Sequence, residues 1–175
     1  MNSAISSDSS AAGEVSGSPR LYKVSFDIPA DTERWAPGTN ERLWTEKSGT
    51  RMEVYVRNTP FYVRGIAFGD LILVRPDNEA RELVFDRVVE KSGNSTVRAI
   101  VKDAIGRTSL TAVLNELECS WETDSSGLLW AIDVPASKNY GQLHERLADL
   151  AGSGAIEVEE AAISEKHEGD LAEIW

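Results

Sequence analysis

The chain holds a single cysteine, two histidines and no apolar run near the roughly 20 residues that a membrane helix needs. A lone Cys119 cannot close an intramolecular disulfide, so its cysteine usage gives no sign of an oxidising compartment. One Cys with two His is too few for a Cys/His zinc site. The Gly-x-Ser-x-Gly elbow, the Walker loop, the three spaced glycines of a dinucleotide fold and the Asp-x-Asp-x-Asp-Gly calcium loop are all missing. The first twenty residues also lack the basic start and apolar core of a secretory signal.

What is present is an ordinary globular balance, 175 residues with 41% hydrophobic and 27% charged. That suits one large domain or two small ones. The net charge of −11 is unevenly spread. Residues 1–112 carry 15 Lys/Arg and 15 Asp/Glu and sum to zero. Residues 113–175 carry Lys138, Arg146 and Lys166 against 14 acidic residues, and hold the whole excess. Such asymmetry assigns the two parts different faces or partners.

Hydropathy patterning divides the chain earlier, near residue 92. Residues 1–20, rich in Ser, Ala and Gly, read as a disordered tail. Residues 21–92 read as short strands broken by Gly, Pro and Asn, at 21–28, 42–47, 51–57, 62–67, 71–75 and 83–89. Ser48-Gly49 reads as a hairpin turn. That rhythm predicts a small antiparallel β-barrel of the SH3-like kind. Residues 93–163 change rhythm. A strand at 97–103 precedes a helix capped by Thr108 or Ser109, with Leu110, Val113, Leu114 and Leu117 on one face. Strands at 119–123 and 128–134 lead to a second helix, capped by Ser137 or Asn139, with Tyr140, Leu143, Leu147 and Leu150 aligned. A last strand spans 155–163. The order β-α-β-β-α-β predicts a ferredoxin-like sandwich, making the fold class α+β. Residues 164–175 read as a frayed acidic tail ending in an odd Trp175.

The chemistry-bearing residues offer few combinations. Cys119 lies beside Leu117 and Trp121, a setting that raises a thiol pKa, and His144 lies between Leu143 and Leu147, next to Glu145 and Arg146, as a surface residue would. No catalytic residue, cofactor or metal is therefore expected. Asn94, Ser95 and Thr96, after Gly93, have the small polar character of an anion or ligand loop, although a strand rather than a helix follows. Turn chemistry makes this segment the link between the halves. Arg51, Arg57, Arg64, Arg75, Arg87 and Arg98 recur among Tyr55, Phe61, Tyr62 and Phe68, a pattern that single-stranded nucleic-acid binders use. Carboxylates cancel those arginines one for one, and an anionic chain repels a polyanion. Pairing of Arg64 and Asp70 to hold the barrel's turns is the plainer role. Glu157 and Glu159 share one strand face and Glu160 takes the other. With Glu145 and Asp149 on the preceding helix, they have no sequence neighbour of opposite sign beyond Arg146.

The segments 58–70 (NTPFYVRGIAFGD), 92–98 (SGNSTVR), 117–122 (LECSWE) and 131–135 (AIDVP) resemble a family of small bacterial proteins known only as a domain of unknown function. The resemblance runs from about Tyr22 to Ile163. It implies a bacterial, cytoplasmic protein and brings no catalytic residues with it. The residues themselves point to a non-catalytic protein-binding module, of the immunity-protein or antitoxin kind. Glu145, Asp149, Glu157, Glu159 and Glu160 would meet a basic protein partner, with no membrane involved. A small-ligand-sensing regulatory domain is the alternative, ahead of a nucleic-acid binder or an enzyme with an unfamiliar site.

Overall fold

The computed structural model describes residues 19–28, 36 and 38–172. The predicted tail lies outside these except for Pro19 and Arg20, and so does Trp175. Strands β1 (Leu21–Asp27), β2 (Asn40–Lys47), β3 (Glu53–Val56), β4 (Leu71–Asp77) and β5 (Glu82–Glu90) form a closed barrel in sequence order. Alternation drives it. In β2, Glu41, Leu43 and Thr45 are buried while Asn40, Arg42 and Trp44 are exposed. Val24, Phe26, Leu43, Val54, Val56, Ile72 and Val74 fill the barrel, and Phe26 stacks on Phe85 at 4.8 Å. Neighbouring strands run antiparallel except at the seam, where β1 meets β5 in parallel through Val24–Leu83 and Ser25–Val84.

One predicted strand is corrected. Residues 62–67 alternate like a strand but form part of the irregular stretch that links β3 to β4. Gly65 at φ 72° and Gly69 at φ 84° turn the chain where only glycine is unstrained. Carboxylates hold the backbone amides that a ladder would have paired.

The second half runs β6 (Ser95–Val101), α1 (Ala104–Glu116), β7 (Ser120–Thr123), β8 (Leu129–Val134), α2 (Tyr140–Gly152) and β9 (Ile156–Ala162). Its four strands form a sheet in the order β7-β8-β6-β9, antiparallel throughout. Leu110, Val113 and Leu114 of α1 and Leu143 and Leu147 of α2 share one core with Val97, Ala99, Val101, Ile132 and Ile156. Burying some ten such side chains, at about 1.5–3 kcal/mol each, is what holds the helices to the sheet.

Two further expectations change here. The first helix begins at Ala104, because Asp103 rather than Thr108 or Ser109 caps it, its Oδ1 accepting from Gly106 N at 2.7 Å. Gly106 is there because a Cβ would stand 2.6 Å from the Ala155 carbonyl oxygen. Asn139 caps α2 as expected, accepting from Gln142 N at 3.0 Å. Residues 164–172 are not frayed: α3 (Glu165–Ala172) packs on α2 and buries His167 completely. Among the described residues no helix is long and apolar enough to cross a membrane.

Candidate functional site

The linking stretch between β3 and β4 carries the first of the signature segments, and the structure explains its residues as a clasp between barrel and sheet. Glu41 accepts from three successive amides, those of Phe61 at 2.7 Å and of Tyr62 and Val63 at 2.9 Å. Thr59 N donates to Glu122 Oε1 at 2.9 Å, reaching across to β7. Thr96 Oγ1 donates to the Ile66 carbonyl at 3.0 Å, and Gly65 N to the Ala161 carbonyl at 2.9 Å. Arg98, 2% exposed, gives Nη2 to the Val63 carbonyl and Nη1 to Glu159 Oε2 at 3.2 Å. Burial lowers the Arg98 pKa, with Glu159 and Glu41 opposing it. Asp70 is fully buried and accepts from Ala67 N, Lys91 Nζ, Ser92 N and Ser92 Oγ at 2.9–3.1 Å. The expected partnership of Arg64 with Asp70 is therefore replaced: Arg64 binds Glu159 at 2.7 Å and Asp70 binds Lys91.

The three donors of the predicted ligand loop face inward. Asn94 Nδ2 donates to Asp133 Oδ1 at 3.0 Å while its Oδ1 accepts from Ala136 N at 3.0 Å. Ser95 and Thr96 are fully buried, Ser95 against α3 and Thr96 against the clasp. A cleft of about 460 Å³ does open beside them, lined by Lys91, Gly93, Asn94, Ser164 and Lys166 among others. Asp133, beneath the loop, is 6% exposed, and burial pushes its carboxyl up to about 6 against the pull of Asn94 and Ser120.

Burial pushes the Cys119 thiol up to about 11, with the Asp133 charge adding to it, so the sulfur stays protonated near neutrality. His144 pairs with Glu160 at 3.2 Å rather than approaching Cys119. The sequence reading missed another pair, Ser95 Oγ to His167 Nδ1 at 2.6 Å, with Ser164 N donating to the same hydroxyl at 2.9 Å. His167 Nε2 is buried without a hydrogen-bond partner, and burial, then the Lys166 charge, lower the ring's pKa. Both side chains are shut away from solvent, so they brace α3 against the sheet instead of presenting a nucleophile. Seventy-two residues separate them, and no local spacing could have joined them. Among the described residues no group of three or more His, Cys, Asp or Glu could hold a metal.

The predicted acidic residues gather around β9, the outer strand of the sheet. Glu157 pairs with Lys102 at 2.8 Å and stays 63% exposed. Glu159 lies toward the clasp, shared by Arg64 and Arg98. Glu160 turns to α2, accepting from Tyr140 Oη at 2.6 Å and meeting His144. Glu157 and Glu159 thus gain in space the cations they lack in sequence, Lys102, Arg64 and Arg98 coming from distant parts of the chain. Glu160, by contrast, meets no Lys or Arg among the described ion pairs. Glu145 and Asp149 are exposed on α2. The arginines do not form a basic stripe: Arg57 binds Glu46 at 2.8 Å, Arg87 binds Asp86 at 3.2 Å, and Arg64 and Arg98 face Glu159.

This arrangement, a barrel clasped to a helix-backed antiparallel sheet, defines a mixed α+β protein. It is similar to a solved structure described as a novel crystal structure of a hypothetical protein from Neisseria gonorrhoeae. The TM-score is 0.65 at 17% identity, covering 81% of this chain and 96% of that one, so the likeness is one of fold. No curated protein matches the chain. Residues 41–158 match the family described as "Domain of unknown function (DUF4265)", and the chain belongs to that family. The match opens at Glu41, the carboxylate of the clasp, and closes at Val158 in β9.

Proposed function

We propose that this chain is a non-catalytic bacterial module that binds a basic protein through the acidic border of its second half. The observation that carries the reading is that β9 is an outer strand bearing exposed Glu157 and Glu160, while α2 presents Glu145 and Asp149. A charged surface of one sign steers an oppositely charged partner, raising the association rate more than the final affinity. An immunity-protein or antitoxin role in the cytoplasm is the specific form of this reading, and a toxin gene beside the coding gene would favour it. We read the barrel as SH3-like and the second half as ferredoxin-like; the strand order β7-β8-β6-β9 supports the latter.

The test is affinity purification from the native host, followed by kinetics with the recovered partner. Glu145→Lys with Asp149→Lys should cut the on-rate about tenfold at low salt, and the deficit should fade near physiological salt, where the Debye length is about 8 Å. An unchanged on-rate at every ionic strength would reduce the acidic border to a solubility feature. A second reading, a small-ligand sensor, is favoured by the cleft beside Lys91 and Lys166. Its mark would be a small molecule that stays bound through purification.

A further inference from the structure

Resting on that reading, we infer that β9 takes its partner by strand addition, as an extended basic segment of about five residues that continues the sheet. The outer edge of β9 meets no strand among the described residues. Among the described residues only its far end is occupied, where Gly65 N donates to the Ala161 carbonyl, and no backbone partner meets the outer edge of 156–160. At about 3.4 Å per residue this is room for some 17 Å of added strand.

An added strand projects alternate side chains to the two faces of the sheet, and β9 has a recess on each. On the face away from the helices lies one of about 200 Å³, lined by Arg98, Ile100, Leu129, Glu157, Val158 and Glu159. Arg98 is almost wholly buried there, and its Nε has no hydrogen-bond partner. That lining calls for an apolar side chain carrying an acceptor, such as Met. On the helix face lies one of about 300 Å³, lined by Tyr140, His144, Leu147, Ala148, Ala151, Val158 and Glu160. A Lys or Arg fits it, its stem over Ala148 and Ala151 and its charge toward Glu160. Both recesses share Val158, so the two subsites flank one strand.

Charge selects the occupant. Carboxylates along an outer strand are the usual guard against edge-to-edge pairing, and a second copy would set Glu157, Glu159 and Glu160 against their own kind. A basic strand turns the same guard into attraction. The segment recognised therefore alternates basic and apolar residues.

The full chain can be used to select from a phage-displayed decapeptide library, and the winners then resynthesised with N-methyl groups on alternate residues. Strand addition expects enriched peptides with basic and apolar residues alternating. N-methylation along one edge should weaken binding at least tenfold, and along the other edge less than twofold. Binding should also slow hydrogen exchange of amides within 156–160. Basic peptides without alternation, equal tolerance of N-methylation on both edges, or unchanged exchange would overturn strand addition and leave charge-steered docking standing. Selection of no basic sequence would overturn both. A chain that dimerises through β9 would overturn the assignment of the edge to a foreign segment.

Discussion

The two halves of the molecule solve the problem of sheet edges in opposite ways. In the barrel every strand has two neighbours, since β1 returns to β5 through Val24 and Ser25. The second half stops at β7 on one side and β9 on the other. Its charge follows its topology: residues 21–92 of the closed half hold 11 Lys/Arg against 12 Asp/Glu and sum to −1, whereas residues 93–175 hold 6 against 15 and sum to −9. A closed sheet gains nothing from single-sign charge, whereas an open edge needs it to stay unpaired, so acidity concentrates where backbone is available.

The halves are joined through few groups, and removing one should produce the largest effect. Glu41 grows from the barrel wall, yet its carboxylate serves the clasp lying against the sheet. Glu41→Ala leaves three amides without their acceptor, so about 3–5 kcal/mol of stability should be lost in urea unfolding. The halves should also unfold in separate steps, giving different midpoints by tryptophan fluorescence and far-UV circular dichroism. A loss below about 1 kcal/mol with one shared midpoint would mean that the remaining contacts hold the two halves together without Glu41.

How far the sequence foretold this difference depends on whether the signal was local. The barrel strands, the β-α-β-β-α-β order and the faces of α1 and α2 were legible because period 2 and period 3.6 are written in neighbouring residues. Residues 62–67 misled for the same reason. Tyr62, Arg64 and Ile66 alternate with Val63, Gly65 and Ala67 as a strand would, but what shapes them is a carboxylate twenty residues upstream and an arginine over thirty downstream. The helix α3 was invisible because it buries a histidine where an apolar stripe was sought. At the candidate site the acidic residue types and their division between faces could be read. The pairing of Glu157 and Glu159 with cations from other segments could not.

Acidity should separate the buried groups of the open half next. Asp133 has its folded pKa raised to about 6, so between its unfolded value near 3.9 and about 6 the folded state binds more protons. Its effect is a penalty fully present above pH 6 and relieved as the pH falls toward 4. Asp133→Asn should accordingly raise stability by about 3 kcal/mol at pH 7.5, the equivalent of its shift, and change little at pH 4. His167 works in the other direction. Its folded pKa is lowered, so the unfolded chain takes the proton first and stability falls as pH drops below about 6.5. With Asp133 neutralised, that histidine-linked loss should stand alone in the stability profile from pH 7 to 5. A profile flat in this range would show that the Ser95–His167 contact survives protonation.

The smallest change in stability should give the sharpest contrast between the halves. Glu157 pairs with Lys102 in the open, and on the barrel Glu82 pairs with Arg42 at 3.0 Å, also toward solvent. Surface pairs of this kind are worth at most about 1 kcal/mol, because water and salt already screen them. Glu157→Lys and Glu82→Lys should therefore each unfold within about 1 kcal/mol of the parent chain and change its net charge by the same amount. If steering depended on total charge, the two variants would slow the basic partner equally. If it depends on the open edge, Glu157→Lys slows association several-fold at low salt and Glu82→Lys barely does, the gap closing as salt is added. Stopped-flow association at three ionic strengths decides it. Equal slowing by both would place the recognition in the charge of the whole molecule and remove β9 from it.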